Sequence, residues 1–307
     1  MMWAYLILAA VIATPLIIEA TRKKMTDAAR QEAPGQFAQL SDGVTHYRWW
    51  GPESGPVAVC IHGLTTPSFV YEGIAKGLSQ IGFRVLTYDL YGRGYSDRPK
   101  GTQDVAFFRR QLSELLDHER IDDDITVVGY SMGGSIAAAF AAAEAVAIRQ
   151  VVLLAPAGMT DLSGSLFRRM MTWPVIGTWL ALEFYPNILR KGIAAERRLP
   201  GANTRIADLQ EAELNWRGFV PAVAASLRGI LREDLRPAHE TLQTEGVPVM
   251  AIWGRQDDVI PITAADRLVE WNPTVQTVIL DDAGHGLTYT HVTTVLDHIH
   301  EFTHQSG

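Results

Sequence analysis

Short, uniformly apolar runs recur along most of the chain and alternate with longer stretches of helical periodicity. Runs of this kind are typical of strands covered on both faces, and the helical stretches between them supply the crossovers that parallel strands need. The pattern predicts an α/β fold with a mostly parallel sheet, preceded by an antiparallel strand at residues 43–50. The apolar runs read VAVCI at 57–61, RVLTY at 84–88, ITVV at 125–128, VVLLA at 151–155, PVMAIW at 248–253 and VQTVIL at 275–280.

One long interval interrupts this alternation. Between the runs that end at residue 155 and begin at residue 248, no segment has the character of a strand. The interval is too long for a plain connection, and its short helical stretches are broken by Pro and Gly and are rich in aromatic residues. We predict an inserted helical cap at residues 158–238, between core segments at 37–157 and 239–307. Its aromatic side chains either form the cap's own small core, or line an apolar pocket or touch a bilayer.

The N-terminal stretch MMWAYLILAAVIATPLII carries no charged side chain. As a helix it would reach about 27 Å, close to the roughly 30 Å hydrocarbon core of a bilayer. Basic residues follow this stretch instead of preceding it, which favours a single-pass membrane anchor at residues 1–19 over a cleaved signal peptide. The positive-inside rule then puts the rest of the chain, which begins with a polar linker at residues 20–36, in the cytoplasm. A signal peptide and a helix packed against the body or a partner stay open as alternatives, because Pro15 and Glu19 suit a spanning helix poorly.

Composition narrows the classes of partner. The chain has 307 residues, 47% hydrophobic and 20% charged, which is enough for a sizeable core. A net charge of −7 gives no electrostatic reason to bind nucleic acid, so we exclude that partner. The one cysteine, Cys60, lies inside an apolar run and is predicted to be a buried, reduced thiol.

The stretch VVGYSMGGS at 127–135 places Ser131 between small residues, directly after a predicted strand and before an Ala-rich helical stretch. The segment Gly129-Tyr130-Ser131-Met132-Gly133 fits the G-x-S-x-G pattern of a nucleophile elbow. In that turn a strained serine points its hydroxyl away from the end of the strand, and small neighbours let the strand and helix approach closely. We therefore predict that Ser131 is a nucleophile.

A serine nucleophile needs a histidine base and an acid that orients the histidine. After the predicted strand ending at Trp253, the chain offers Asp257 and Asp258; after the next strand it offers His285, which lies between two glycines. Ser131, the aspartates and His285 each follow a predicted strand, and the carboxyl ends of parallel strands meet at one edge of a sheet, so we expect these side chains to lie close together. Most of the other histidines, including three in the terminal helical stretch, are predicted to lie at the surface.

Cofactor and metal chemistry receive no support from the motifs. No H-E-x-x-H or C-x-x-C spacing occurs, so metal binding is a poor rival. The segment YDLYGRGYSDRP at 88–99 contains Gly92 and Gly94 but lacks the third glycine of a dinucleotide fingerprint, and no P-loop motif is present. We expect a reaction without a cofactor.

Taken together, these motifs resemble those of α/β-hydrolase fold serine hydrolases, in the style of bacterial esterases and monoacylglycerol lipases. The resemblance extends over roughly residues 40–303. Its pieces are IHGL at 61–64, YDLYGRGYSDRP at 88–99, GYSMGG at 129–134, WGRQDDVIP at 253–261 and AGHG at 283–286.

The resemblance assigns roles that spacing alone leaves open. Asp257 matches the family's G-x-x-D-x-x-x-P stretch better than Asp258, and Asp161 is the alternative because some members take their acid from that position. The family's oxyanion hole implies the backbone N–H groups of Leu64 and Met132. At the position of His62, the family has a residue that shapes the loop instead of a base.

The resemblance implies hydrolysis of a carboxylic ester, and the aromatic cap and apolar N-terminus favour a lipid ester with an apolar acyl chain as the small-molecule partner. A serine at the elbow excludes the related dehalogenases and epoxide hydrolases, which have aspartate there. Thioester, amide and C–C bond hydrolysis on the same three side chains stay open, although HGLTTPSF lacks the Gly- and Pro-rich loop usual in C–C hydrolases. So does a hydrolase-fold protein that binds a ligand without turnover.

Overall fold

A computed structural model describes residues 1–160, 173–198 and 203–305. One alternative from the sequence, Asp161 as the acid, lies outside the described residues, as do parts of the predicted cap.

Eight strands form one twisted sheet in the order β1-β2-β4-β3-β5-β6-β7-β8. The pairs β1–β2 and β2–β4 are antiparallel, and every other neighbouring pair is parallel. The prediction of an α/β fold with a mostly parallel sheet is therefore confirmed. The strands are β1 Gln36–Leu40, β2 Gly43–Trp50, β3 Val57–Ile61, β4 Arg84–Tyr88, β5 Ile125–Tyr130, β6 Ile148–Leu154, β7 Val249–Gly254 and β8 Gln276–Leu280.

The helices cover both faces of this sheet and build the region above its carboxyl edge. Helices α3, α4, α5, α9 and α10 lie between successive strands, whereas α6 to α8 belong to the long interval without strands. In the described residues the α-helices are α1 Met2–Thr21, α2 Asp27–Arg30, α3 Glu72–Gln80, α4 Val105–Glu119, α5 Met132–Ala143, α6 Ile176–Glu196, α7 Thr204–Ala212, α8 Phe219–Arg228, α9 Arg236–Thr244, α10 Thr263–Trp271, α11 Leu287–Thr290 and α12 Val292–Gln305.

The central strands are buried on both faces, as their composition predicts. Every residue of β5 and of β7 is buried, and α5 packs its Ala-rich surface between the sheet and α9. The burial of apolar side chains on both sides of the sheet supplies the main stabilising term, at about 25 cal/mol for each Å² removed from water. Cys60 lies within this core with no exposed surface, so it is the buried thiol that the sequence predicts, and burial raises its pKa.

The segment predicted as a polar linker, residues 20–36, contains structure of its own. It includes the short helix α2, and Arg30 at the end of α2 is only 8% exposed. The Arg30 guanidinium donates to the Tyr95 carbonyl (3.0 Å) and to the Asp97 carboxylate (2.5 Å). These contacts attach the segment to the loop after β4, which a composition argument does not reveal.

Helix α1 is the one helix of the described chain that is long and apolar enough to cross a bilayer. It has 20 residues, a mean hydropathy of 1.9 over its most apolar window, and only 6% of that window is buried. Length and composition alone give this result, and a signal sequence near an N-terminus has the same properties.

Candidate active site

Ser131 lies at the tight turn between β5 and α5. Its φ of 54° and ψ of −120° fall in a region that residues other than glycine rarely adopt. Three backbone hydrogen bonds hold it there: its N–H donates to Leu154 (3.0 Å), and its carbonyl accepts from Gly134 (2.9 Å) and Ala157 (3.0 Å). The sheet therefore supports the strained turn from both sides and fixes the direction of the serine side chain.

Two glycines make this turn possible by their lack of a side chain. A Cβ atom on Gly133 would collide with the Ile61 carbonyl oxygen, and one on Gly129 would collide with the Gly133 carbonyl oxygen. Helix α5 can therefore begin directly above β3 and β5 only because these positions are glycine. The close approach brings the N-terminus of α5 to the Ser131 side chain.

His285 lies on the loop after β8, and its ring joins Ser131 to Asp257. The ring's Nε2 is 3.0 Å from Ser131 Oγ, and its Nδ1 is 2.8 Å from Asp257 Oδ2. When Nδ1–H donates to the carboxylate, Nε2 is the acceptor and faces the serine hydroxyl. The structure thus brings together three side chains that are far apart in the sequence, each from the end of a different parallel strand.

The structure distinguishes between the two adjacent aspartates. The Asp257 side chain is 2% exposed, and its Oδ1 accepts the N–H groups of Val259 and Ile260, both at 2.8 Å. The neighbouring Asp258 is exposed. Only Asp257 contacts the histidine, and its second oxygen is held by the backbone, so the carboxylate has one fixed orientation.

The loop after β3 lies against the serine from the other side. A Cβ atom built on Gly63 would be 3.2 Å from Ser131 Cβ, so Leu64 follows directly after this close contact. Among the hydrogen bonds of the described residues, neither Leu64 N–H nor Met132 N–H donates to a protein acceptor. Met132 is also the first residue of α5, where the helix dipole presents partial positive charge. Both predicted oxyanion donors are therefore unpaired and adjacent to Ser131.

His62, the other histidine near this loop, is used structurally. It is fully buried: its Nδ1–H donates to the Gly63 carbonyl (2.8 Å) and its Nε2 accepts from Leu90 N–H (2.9 Å). Burial lowers the pKa of His62 to about 4. With both ring nitrogens occupied, His62 holds the loop in shape and has no free nitrogen to accept a proton.

The loop after β4 is organised around the buried Asp89 carboxylate. It accepts from Ser68 N–H (2.9 Å), from Tyr95 N–H (2.9 Å) and from His46 Nδ1 (2.7 Å). Burial alone would raise the pKa of Asp89, but the facing His46, the nearby His62 and the hydrogen bond from Ser68 together outweigh burial and hold that pKa well below its usual range. This carboxylate thus fixes the YDLYGRGYSDRP segment beside the serine.

Arg93, in the same segment, is a site residue that was not predicted from the sequence. It is fully buried, and its Nε donates to the Leu64 carbonyl (3.1 Å). Its other nitrogens donate to Gln103 Oε1 (2.6 Å) and to Ser226 Oγ (2.8 Å) on α8. One guanidinium therefore connects the loop beside Ser131 to a helix of the long insertion. The sequence signal that could have identified Arg93 is its position as a single charged residue between two glycines.

Helices α6 to α8 reach the site through a few polar contacts. Gln210 on α7 donates to Thr65 Oγ1 (2.9 Å), beside the Leu64 loop. Tyr289, four residues after His285, donates to Glu196 at the end of α6. No motif marks the insertion's residues, so the sequence could not identify these contacts.

A buried carboxylate makes a third contact of this kind. Glu213, just after α7, is 5% exposed and accepts Gly94 N–H (3.0 Å). Burial raises the pKa of Glu213 to about 7, although the nearby Arg98 counteracts the shift. Its charge therefore changes near neutral pH, directly beside the loop that holds Arg93.

The arrangement has the parts that acyl transfer requires. It contains a hydroxyl in contact with an imidazole, a carboxylate that orients the imidazole, and two unpaired backbone N–H groups beside the hydroxyl. Such groups together can form and stabilise a tetrahedral intermediate on a carbonyl carbon.

The chain is similar to known proteins over most of its length. Residues 56–292 match the family model of the alpha/beta hydrolase fold. A pimeloyl-acyl-carrier protein methyl ester esterase of Nitrosomonas europaea is 30% identical over 244 residues, which cover 76% of this chain and 89% of that protein.

Two solved structures share the fold at low sequence identity. The enol-lactonase of Burkholderia xenovorans LB400 superposes with a TM-score of 0.74 at 22% identity, over 87% of this chain and 99% of that one. A membrane phospholipase A superposes with a TM-score of 0.72 at 19% identity, over 99% of this chain and 96% of that one.

Proposed function

Because the chain belongs to the α/β-hydrolase fold family, we propose that it is a serine hydrolase of carboxylic esters. The observation that carries the proposal is the line of contacts from Ser131 Oγ through His285 to Asp257, at 3.0 and 2.8 Å. The esterase from Nitrosomonas europaea, a relative across most of the chain, supports an ester as the bond that is cleaved.

In the proposed mechanism, Ser131 Oγ attacks the ester carbonyl while His285 Nε2 takes the hydroxyl proton. The buried Asp257 carboxylate accepts a hydrogen bond from His285 Nδ1–H and stabilises the imidazolium that forms. His285 then gives the proton to the departing alcohol, which leaves an acyl group on Ser131. A water molecule that loses its proton to His285 hydrolyses this acyl-enzyme and restores the serine.

The backbone N–H groups of Leu64 and Met132 are the proposed oxyanion donors. Both are unpaired in the described structure, and Met132 adds the positive end of the α5 dipole. A donor of this kind typically contributes about 2.7 to 4 kcal/mol to lowering the barrier. Neither depends on the identity of its side chain.

We propose an ester with an apolar acyl chain, such as a monoacylglycerol, as the substrate. Helices α6 and α8 bury apolar side chains against each other, and α6 leaves Phe184 and Ile188 exposed, so the insertion beside the site offers apolar surface to an acyl chain. The structural likeness to a membrane phospholipase A, which extends over 99% of the chain, is consistent with a lipid ester.

The proposal is tested by initial rates on p-nitrophenyl esters from acetate to palmitate, in detergent, for the intact chain and for Ser131→Ala. We expect turnover that is greatest at medium or long acyl chains and that disappears in the variant, because the variant lacks the nucleophile. A fluorophosphonate probe should label the intact chain at residue 131 and spare the variant. Unchanged turnover in Ser131→Ala would contradict the assignment.

The same experiment separates the competing reactions. Thioesters, amides and C–C bonds present the same carbonyl to Ser131, so they are assayed in parallel at equal concentration. A rate that is greater on one of these classes would replace the ester in the proposal. A chain that is labelled by fluorophosphonate but cleaves none of them would favour a binding role.

We further propose that α1 anchors the protein in a membrane with the hydrolase domain in the cytoplasm. Its apolar length and the basic residues Arg22, Lys23 and Lys24 that follow it support this orientation. Alkaline carbonate extraction should leave the full chain in the membrane pellet and release a chain that lacks residues 1–24. Release of the full chain would contradict the anchor.

A further inference from the structure

Helix α1 does not project freely from the body, because its second half is attached to the long insertion. Trp179 Nε1 on α6 donates to the carbonyl of Ile12 in the middle of α1 (2.9 Å). Nearer the end of α1, the Glu19 carboxylate accepts the N–H of Gly218 (2.5 Å). Just beyond it, Lys23 N–H donates to the Asn215 carbonyl (3.1 Å). Residues of the long insertion therefore contact α1 from Ile12 to its end.

These contacts also account for the two residues that suit a spanning helix poorly. Pro15 and Glu19 are the two buried residues of α1. Glu19 is paired with Arg22 (2.6 Å) in addition to Gly218, so its charge is compensated where it lies. The hydroxyl of Thr14, within the apolar stretch, donates to the Ala10 carbonyl of the same helix (2.8 Å).

The attachment limits how much of α1 can enter a bilayer by itself. Only Met2–Ile12 extends beyond the contact with Trp179, and ten steps of 1.5 Å give about 15 Å. The hydrocarbon core of a bilayer is about 30 Å thick. A spanning α1 must therefore bring its attached neighbour about halfway into the membrane, or α1 must leave half of its apolar length outside.

The start of α6, which contacts α1, has the apolar composition that it would need to enter the membrane together with α1. Residues 173–182, here named the cap tip, contain no charged side chain, and the first charge after them is Glu183. Three apolar side chains of the cap tip are exposed, namely Trp173 (50%), Val175 (83%) and Ile176 (56%). The indole N–H of Trp179, which would be costly to leave unpaired in hydrocarbon, already donates to Ile12.

We propose that the cap tip inserts into the near leaflet of the bilayer beside α1, so that the protein touches the membrane at two adjacent elements. This inference rests on the proposed anchor. The occupant of the exposed apolar surface is the acyl region of phospholipids, and Arg22, Lys23 and Lys24 lie toward the headgroups.

A bilayer suits this surface better than a second copy of the chain. Leu6, Ile7 and Leu8 are consecutive residues that point in directions about 100° apart on a helix, and each is more than half exposed. A partner helix covers one stripe of α1 and leaves the other directions in water. Hydrocarbon covers all of them.

If the cap tip lies in the bilayer, α6 runs from the membrane toward the proposed active site. The helix begins at the cap tip and ends at Glu196, which accepts from Tyr289 beside the proposed catalytic histidine. Its 20 steps span about 30 Å. One helix therefore extends from the lipid to the site, and a lipid ester can leave the bilayer along an element that is already in contact with it.

The test measures the surroundings of single labelled positions in the full chain, reconstituted into phosphatidylcholine and phosphatidylglycerol vesicles. Cysteine is introduced in turn at Ile176 in the cap tip, at Ile7 in α1 and at Val146, which is fully exposed at the surface of the domain that contains the sheet. Each is labelled with the environment-sensitive fluorophore NBD. The native Cys60 has no exposed surface, so the unmodified chain serves as the labelling blank.

We expect the labels at residues 7 and 176 to shift their emission to shorter wavelength and to lose emission when doxyl-labelled phosphatidylcholine is added. The label at residue 146 should keep the emission of a label in water. A water-like signal at residue 176 with a lipid-like signal at residue 7 would overturn the inference and leave the anchor standing.

Two other results would also overturn it. Water-like signals at both positions would remove the anchor together with this inference, whereas the ester hydrolysis assays would be unaffected. A label at residue 176 that is shielded without quenching by doxyl lipid, and that returns to water as the protein is diluted in the vesicles, would assign the surface to a second copy of the chain.

Discussion

The carboxyl edge of the sheet and the helical insertion above it are built in different ways. At the sheet edge, the side chains of Ser131, Asp257 and His285 follow buried strands, and backbone hydrogen bonds fix the strained serine and the aspartate. The insertion has a small apolar core of its own, around residues such as Leu182 and Phe219. It contacts the site through a few side chains and leaves apolar residues of α6 exposed.

The difference shows where rigidity and adaptability lie in this molecule. Catalytic groups must be held within a fraction of an ångström, and the ends of parallel strands hold them because the strands cannot move without breaking the core. An element that admits a substrate must be held more weakly. In the insertion, polar contacts such as those of Gln210 and Glu213 with the loops of the site take the place of a continuous strand ladder.

The largest expected effect is on the sheet edge, through Asp257→Asn. In the variant the amide oxygen is held by the Val259 and Ile260 N–H groups, so its NH2 faces His285 Nδ1, and the ring loses its tautomer and its charge stabilisation. We expect kcat on p-nitrophenyl esters to fall about 10⁴-fold with little change in KM. Asp258→Asn is the matched control, because Asp258 is exposed and adjacent, and it should retain full activity. Equal losses in both variants would refute the assignment of Asp257.

A smaller effect is expected where the two regions meet, through Arg93→Met. The variant keeps an unbranched stem but removes the guanidinium and its bonds to Leu64, Gln103 and Ser226. We expect kcat to fall about 10- to 100-fold, because the Leu64 loop shifts relative to Ser131.

Titration of this variant with a fluorophosphonate counts the folded, competent sites, so a lower kcat per site separates loss of positioning from loss of folded protein. Ser226→Ala removes only the bond to α8 and should keep most of the activity. If both variants lose activity equally, the role of Arg93 lies in holding the insertion and not the loop.

The smallest expected effect is a pH dependence of stability at Glu213. Because its pKa is raised to about 7, the folded protein retains a proton that the unfolded chain loses near its ordinary pKa of 4.5. This contribution to stability is full below pH 4.5 and is lost as the pH rises through 7. The groups that face Glu213 are Arg98, Arg93 and Asp89.

The variant Glu213→Gln cannot ionise, so its unfolding temperature should fall less than that of the native chain between pH 5.5 and pH 8. The difference corresponds to about 1 to 2 kcal/mol. Glu211, a half-buried glutamate two positions away, offers the control Glu211→Gln, which should keep the native pH dependence. Parallel curves for all three proteins would show that Glu213 carries no proton at neutral pH.

The sequence was sufficient to predict the central strands, because uniformly apolar runs are buried on both faces wherever they occur. The strands β3 and β4 begin and end where the pattern places them, and β5 to β8 differ by a few residues at their ends. The edge strand β1 was not predicted, since QFAQL is neither uniformly apolar nor strictly alternating and gains its strand partner only from β2. An edge strand depends on a neighbour more than on its own composition.

The nucleophile elbow and the order of Ser131, an aspartate and His285 also follow from the sequence by itself, because a glycine-flanked serine between a buried strand and a helix is typical of that turn. The elbow can be predicted because it depends on residues that are adjacent in the sequence. The choice between Asp257 and Asp258 does not follow from neighbouring residues alone, since both come after the same strand and only the fold decides which carboxylate faces the histidine.

Tertiary structure alone decided how the insertion and α1 relate to the site. The bonds from Arg93 to α8, from Trp179 to Ile12 and from Gly218 to Glu19 join residues more than 100 positions apart. Local propensity has no information about such pairs, because it is the packing of whole elements that brings them together. The sequence by itself therefore determined the sheet and the chemistry at its edge, and only the folded chain determined what lies above that edge and how it is attached.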